Sequence, residues 1–171
     1  MPDRTAHFLA LLDAHRALLC KVCRVYARTE ADREDLHQEI LAQLWRALPR
    51  FRGEASETTW LHRVALNTAI SYYRRSRTRR QYVPDDEATP ETWQATCPGP
   101  DEALAERERL DRLYGAIGRL SDAEKALVVL YLEDRSYREM ADVLGLSESN
   151  VGVRLHRIKK KLATLLREVP A

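Results

Sequence analysis

Apolar side chains return every three to four residues along most of this chain, the rhythm of helices with one buried face. Over residues 3 to 28 they fall at Phe8, Leu11, Leu12, Leu18, Leu19, Val22 and Tyr26, which predicts one amphipathic helix. A second helix, over about 31 to 48, carries Leu36, Ile40, Leu44 and Leu48 and stops at Pro49. After the loop PRFRGEA, Ser56 is positioned as the N-cap of a third helix reaching about Arg80. Its buried face is expected at Leu61, Val64, Ala65, Thr68, Ala69 and Tyr72.

The rhythm then fails. VPDDEATPETWQATCPGP contains four prolines and no sustained period, so it reads as an acidic, flexible linker. Periodicity resumes after Asp101 with Leu110, Leu113, Ile117 and Leu120. SDAE (Ser121 to Glu124) and SYRE (Ser136 to Glu139) are capping boxes, in which serine caps and a glutamate three residues on reaches back. They predict helices over about 122 to 133 and 137 to 144. A last helix, capped by Ser147, shows Val151, Leu155, Ile158, Leu162 and Leu165. The expected fold is therefore all-α, with two small helical domains, 1–81 and 101–171, joined by a linker over 82–100.

The last two helices have a specific spacing. Ala141 stands four residues before Gly145, and Val151 six after it. A small residue lets two helices cross closely, a glycine turns the chain through positive φ, and a valine packs the second helix back on the first. That is the spacing of a helix-turn-helix, whose second helix seats in the major groove. Off its apolar stripe lie Ser149, Asn150, Gly152, Val153, His156, Arg157 and Lys160. The early positions suit base edges and the later lysines suit phosphates. Gly152 and Val153 are small and apolar where a polar reader is usual, and a mid-helix glycine costs about 1 kcal/mol relative to alanine.

Charge sharpens this picture. The net charge is only +2, but five arginines fall in RRSRTRR and a second basic block, RLHRIKKK, lies near the C-terminus. Basic faces separated by acidic stretches point to polyanion binding hidden by a neutral average. On the third helix Arg63, Asn67, Ser71, Arg74 and Arg75 share the face opposite the apolar one. On the second, Asp32, Asp35, Gln38 and Glu39 cluster on one face. The bland alternative for each is a solvated helix surface.

Other chemistry is weakly represented. Cys20 and Cys23 have CxxC spacing with His15 upstream, part of what a four-ligand zinc site needs. Their place near a helix's apolar stripe favours buried thiols, with no metal, no cofactor and, from three cysteines, no disulfide framework. No phosphate-cradling glycine loop, nucleophile elbow or His-Glu metal helix is present, so no catalytic residue is assigned and an enzyme is not expected. No run is apolar enough to span a membrane and the N-terminus lacks a signal-peptide pattern, which makes the cytoplasm the expected compartment and membrane insertion unexpected.

Three segments, in order, resemble the extracytoplasmic-function (ECF) group of bacterial sigma factors in the sigma-70 family: DREDLHQEILAQLWRALPRF, TTWLHRVALNTAISYYRR and LSDAEKALVVLYLEDRSYREMADVLGLSESNVGVRLHRIKKKL. They cover most of both domains and leave the linker unmatched. The resemblance implies that Asp35, Gln38 and Glu39, with Asp32 beside them, dock on core RNA polymerase. It implies that the loop starting at Phe51 and Arg52, with Arg63, Asn67, Ser71, Arg74 and Arg75, engages the −10 promoter element. In the family that loop accepts a base flipped from the non-template strand. The second domain then reads the −35 element as duplex. Implied partners are core RNA polymerase, promoter DNA and an anti-sigma factor, which in many relatives is membrane-anchored. The nearest alternative is a stand-alone helix-turn-helix regulator, which does not by itself supply initiation.

Overall fold

The computed structural model describes residues 3–82 and 104–168. The chain divides into two compact units, Met1–Cys97 and Pro98–Ala171, and every regular element among the described residues is helical. In the first unit the helices are α1 (Arg4–Ala14), α2 (Arg16–Tyr26), α3 (Glu30–Ala47) and α4 (Glu57–Tyr82), with a 3-10 turn at Leu48–Arg50. In the second they are α5 (Leu104–Gly118), α6 (Asp122–Leu132), α7 (Tyr137–Leu144) and α8 (Glu148–Glu168).

The single helix expected over 3 to 28 is two. The break is at His15, whose φ of −113° and ψ of 16° leave the helical region while its N–H still bonds the Leu11 and Asp13 carbonyls. Apolar spacing runs through the break because both helices keep their apolar sides inward. The bend frees α1 to cross the end of α3. There the Phe8 ring meets Trp45 edge-on at 5.1 Å. Arg4 lies over the same indole at 3.9 Å and donates to the Trp45 carbonyl at 2.6 Å. His7 pairs with Glu57 at 2.7 Å, tying α1 to the start of α4.

The core of the first unit is a three-helix seam. Leu18, Leu19, Val22, Cys23 and Tyr26 from α2, Leu36, Ile40 and Leu44 from α3, and Leu61, Ala65, Leu66 and Ala69 from α4 are all at most 2% exposed. Burying each large aliphatic side chain contributes about 1.5–3 kcal/mol. The buried stripe of α4 is rotated from the expected one: His62 and Leu66 are buried with Leu61, Ala65 and Ala69, whereas Val64, Thr68 and Tyr72 are only half-buried. The reason is that α4 packs on both α2 and α3, and His62 meets the His15 ring edge-on at 5.8 Å. Ser56 caps α4 through its hydroxyl, which accepts from Thr59 N–H at 3.1 Å.

In the second unit Ile117, Leu127, Leu130, Met140, Val151, Leu155 and Ile158 close a core from all four helices. Both capping boxes form, Ser121 with Glu124 and Ser136 with Glu139. Gly145 adopts φ 66° in the turn between α7 and α8, a conformation that costs a side-chain-bearing residue roughly 1–2 kcal/mol. Ser147 then accepts from Asn150 N–H at 3.2 Å and starts α8.

Two expectations follow. Gly145→Ala destabilises the second unit by about 1–2 kcal/mol in denaturant titration, through the left-handed turn alone. The Glu139 carboxylate, held below its ordinary pKa by the Ser136 backbone N–H first and then its hydroxyl, contributes stability that is complete above the unfolded value of 4.5 and lost as pH falls through the lower folded value. Glu139→Gln keeps the box and removes the titration, so its stability falls less steeply than wild type in acid. Parallel acid profiles for the two proteins count against the assignment.

Candidate nucleic-acid interface

On α4, burial of one face decides the other. Arg63, Asn67, Ser71, Arg74 and Arg75 are all exposed, and the steps of three to four residues between them set them along one side of the helix. Ahead of α4, Phe51 is half-buried and Arg52 exposed. The Phe51 ring leans on Trp60 at 5.2 Å with a 42° tilt, so the loop is anchored at its entry by an aromatic pair while its middle stays open.

The acidic face of α3 is not uniform. Asp35 and Gln38 are exposed, whereas Asp32 and Glu39 are half-buried. The helix rotates the latter two toward α4. Tyr72 donates to Asp32 at 3.3 Å, and Arg75 donates to Glu39 in an ion pair. Burial first, then the Asp32 carboxylate, raise the Tyr72 pKa above the ordinary phenol value. The structure thus brings together two groups that sequence analysis assigned to different partners: Glu39 on the docking face and Arg75 on the DNA face.

In the second unit Ser149, Val153, His156, Arg157 and Lys160 are exposed on α8, Val153 at 49%. Val151, Leu155 and Ile158 hold the opposite face in the core. Asn150 is half-buried and accepts from Arg154 Nε at 2.9 Å. Arg154, also exposed, is absent from the expected set, although its position four residues after Asn150 was readable as the same helix edge. Gly152 is half-buried and turned to one side, where a Cβ would lie 3.4 Å from the Tyr137 ring. A Cβ at this position would be in ordinary van der Waals contact with that ring. Of the basic run, Lys161 is paired with Glu124 at 2.9 Å.

The cysteines do not act as a pair. Cys23 is free and fully buried, and burial pushes its thiol pKa from 9.0 to about 12, partly offset by Arg33. Cys20 is half-buried and disulfide-bonded, a departure from the expectation of free thiols only. Cys97 and Trp93 lie outside the described residues, as does most of the linker. Among the described residues no group of three or more His, Cys, Asp or Glu could hold a metal ion, and no helix is long and apolar enough to cross a membrane.

Comparison with known proteins gives a consistent result. Residues 11–80 match the family model for sigma-70 region 2, and residues 110–162 match that for sigma-70 region 4. The RNA polymerase sigma factor CnrH of Cupriavidus metallidurans is 31% identical over 165 residues, covering 93% of this chain and 86% of CnrH. The ECF RNA polymerase sigma factor SigX of Bacillus subtilis is 29% identical over 167 residues, covering 94% of this chain and 86% of SigX. The solved structure of CnrH in complex with the cytosolic domain of CnrY superposes with a TM-score of 0.69 at 25% identity, covering 97% of this chain and 91% of that one. The sigma factor RpoE of Bartonella quintana, in complex with the anti-sigma factor NepR, shares the fold with a TM-score of 0.65 at 22% identity, over 99% of this chain and 100% of that one.

The buried thiol gives a direct test of the core. In the native protein Cys23 resists alkylation at pH 8 and reacts only after unfolding. Its protonated form contributes stability that is complete below pH 9.0 and is lost as pH rises toward about 12. Cys23→Ala therefore loses less stability than wild type across that alkaline window. Rapid labelling of Cys23 in the folded protein shows the packing to be wrong.

Proposed function

The chain belongs to the ECF group of the sigma-70 family of RNA polymerase sigma factors, non-enzymatic specificity subunits, and we propose the following division of labour among its residues. The first unit docks on core RNA polymerase through the acidic face of α3. Asp35 and Gln38 make the exposed contacts, with Asp32 and Glu39 at the edge toward α4. Opposite charge across such an interface contributes orientation and association rate more than raw affinity.

The same unit engages the −10 element. The loop at Phe51 and Arg52 takes a base out of the stack, Asn67 and Ser71 supply hydrogen bonds beside it, and Arg63, Arg74 and Arg75 hold phosphates. Extruding a base costs a few kcal/mol, which a fitted pocket offsets. Glu39 holds Arg75 by an ion pair, so a partner that engages Glu39 also bears on this DNA face. The second unit enters the major groove at the −35 element with α8. Ser149, Asn150, Val153, His156 and Arg157 face base edges, Val153 suited to a thymine methyl, and Lys160 meets phosphate. Gly152 borders this surface.

Each surface is small and binds weakly by itself. Core polymerase holds both, so the second contact forms at high effective concentration. We infer that the protein works in the cytoplasm, with the polymerase and the chromosome. CnrH and RpoE are seen bound to CnrY and NepR, and we extend an anti-sigma partner of that kind to this chain. The observation that carries the reading is the presence, in order along one chain, of both sigma-70 regions, each with a polar helix face backed by a buried one. A stand-alone regulator needs no region 2, and nothing specific favours that alternative.

Run-off transcription with core polymerase over a randomised promoter library tests the function: the full chain initiates selectively, and a chain that binds DNA but never initiates is a regulator instead. Asp35→Arg is expected to weaken polymerase binding on the order of tenfold while −35 duplex binding persists; equal polymerase affinity removes Asp35 from the docking face. Arg157→Ala is expected to cost about 1–3 kcal/mol on the preferred −35 sequence with relaxed base preference.

A further inference from the structure

The loop between the 3-10 turn and α4 is pinned at both ends. At its entry the Phe51 N–H donates to the Leu48 carbonyl at 3.2 Å, and the Phe51 ring leans on Trp60. At its exit the Ser56 hydroxyl accepts from the Thr59 N–H at 3.1 Å and donates to the Thr59 hydroxyl at 2.9 Å. Glu57, the next residue, is held by His7 of α1 at 2.7 Å. Four residues, Arg52, Gly53, Glu54 and Ala55, carry the chain between these anchors. The first three of them are exposed.

Gly53 makes the turn. Its φ is +73°, in the left-handed region where a Cβ comes too close to the residue's own carbonyl oxygen. Among the described residues nothing lies within 4 Å of where that Cβ would stand. Neither space nor core packing therefore requires a glycine here; backbone conformation alone does. An alanine at 53 fits the surroundings yet disfavours the path the loop takes. With both ends fixed, the strain has one outlet, a change of shape in the four residues between them.

We propose that Gly53 is a positioning residue for strand opening, its left-handed bend holding the loop in the shape that accepts the extruded −10 base. This rests on the reading of the loop as the base-accepting element. A pocket that is already formed offsets the cost of unstacking more fully than one that must be ordered as the base arrives. Gly53 acts through its neighbours Phe51 and Arg52, whose placement it sets. The chain itself indicates the conservative replacement. Asp134, in the turn between α6 and α7, adopts φ 53°, so a short polar side chain is accommodated in this conformation. Asparagine offers that side chain without a carboxylate charge, which would repel DNA.

The test uses the full chain assembled with core polymerase. Its ligands are single-stranded oligonucleotides carrying the −10 sequence selected from the promoter library, with each position replaced in turn by an abasic site. The wild type loses affinity where the missing base is the one that enters the loop. Gly53→Ala is expected to bind the intact strand about tenfold more weakly and to bind the strand abasic at that position as the wild type does. The two changes then fail to add, which marks them as coupled. Gly53→Asn recovers most of the loss, and both variants bind core polymerase as the wild type does. A glycine needed for the fold alone weakens intact and abasic strands by the same factor, and that result overturns the proposal. So do wild-type affinity in Gly53→Ala, an asparagine no better than alanine, or weakened polymerase binding. If the wild type discriminates against the abasic strand and both variants match it, the role of Gly53 alone fails. If no abasic position weakens the wild type, the base-accepting reading of the loop fails and the role of Gly53 falls with it.

Discussion

The seam among α2, α3 and α4 is the constraint on which the first unit's chemistry depends. Leu36, Ile40 and Leu44 meet Leu61, Ala65, Leu66 and Ala69 with almost no exposure. A helix can bury one stripe only by presenting the opposite one. Once Leu61, Ala65 and Ala69 are inside, Arg63, Asn67, Ser71 and Arg74 must be outside. The two alanines matter because α4 packs on two helices at once, and larger side chains at 65 and 69 would hold it away from both. The candidate DNA face is thus a consequence of core packing.

Electrostatics links the faces that packing separates. Arg75 pairs with Glu39, and Tyr72 with Asp32. Exposed ion pairs are worth about 0–1 kcal/mol, so the fold does not rest on the Arg75–Glu39 bridge. Its importance is positional. It keeps one arginine of a strongly basic helix end at a fixed place. At the other end, the clip of Arg4, His7 and Phe8 on Trp45 and Glu57 fixes how α1 covers the approach to the loop before α4.

In the second unit the same logic runs through turns. Two capping boxes and a left-handed glycine begin and end short helices at defined residues. That leaves α8 one rotational setting about its own axis, with Val151, Leu155 and Ile158 inward. The glycine at 152 then finds itself beside an aromatic ring rather than in open space. What looked like a missing reader on the recognition helix is the floor of a contact between consecutive helices.

The all-α fold, the caps, the turn glycine and the two polar helix faces were legible in the sequence, because they depend on local rules: period, capping chemistry and sterics within a few residues. The exposed members of the candidate sites, such as Asn67 and Arg157, were found because a residue off an apolar stripe must face outward. The kink at His15, the burial of His62 and Leu66, and the pairing of Glu39 with Arg75 were not legible. Each depends on a neighbour distant in sequence: a helix bends to cover a tryptophan thirty residues on, or a carboxylate turns toward an arginine on the next helix but at 36 residues' remove. Gly152 shows the boundary most clearly. Its sequence position established that a side chain is absent from the recognition helix, and only tertiary packing, by laying Tyr137 across it, decided what occupies the space.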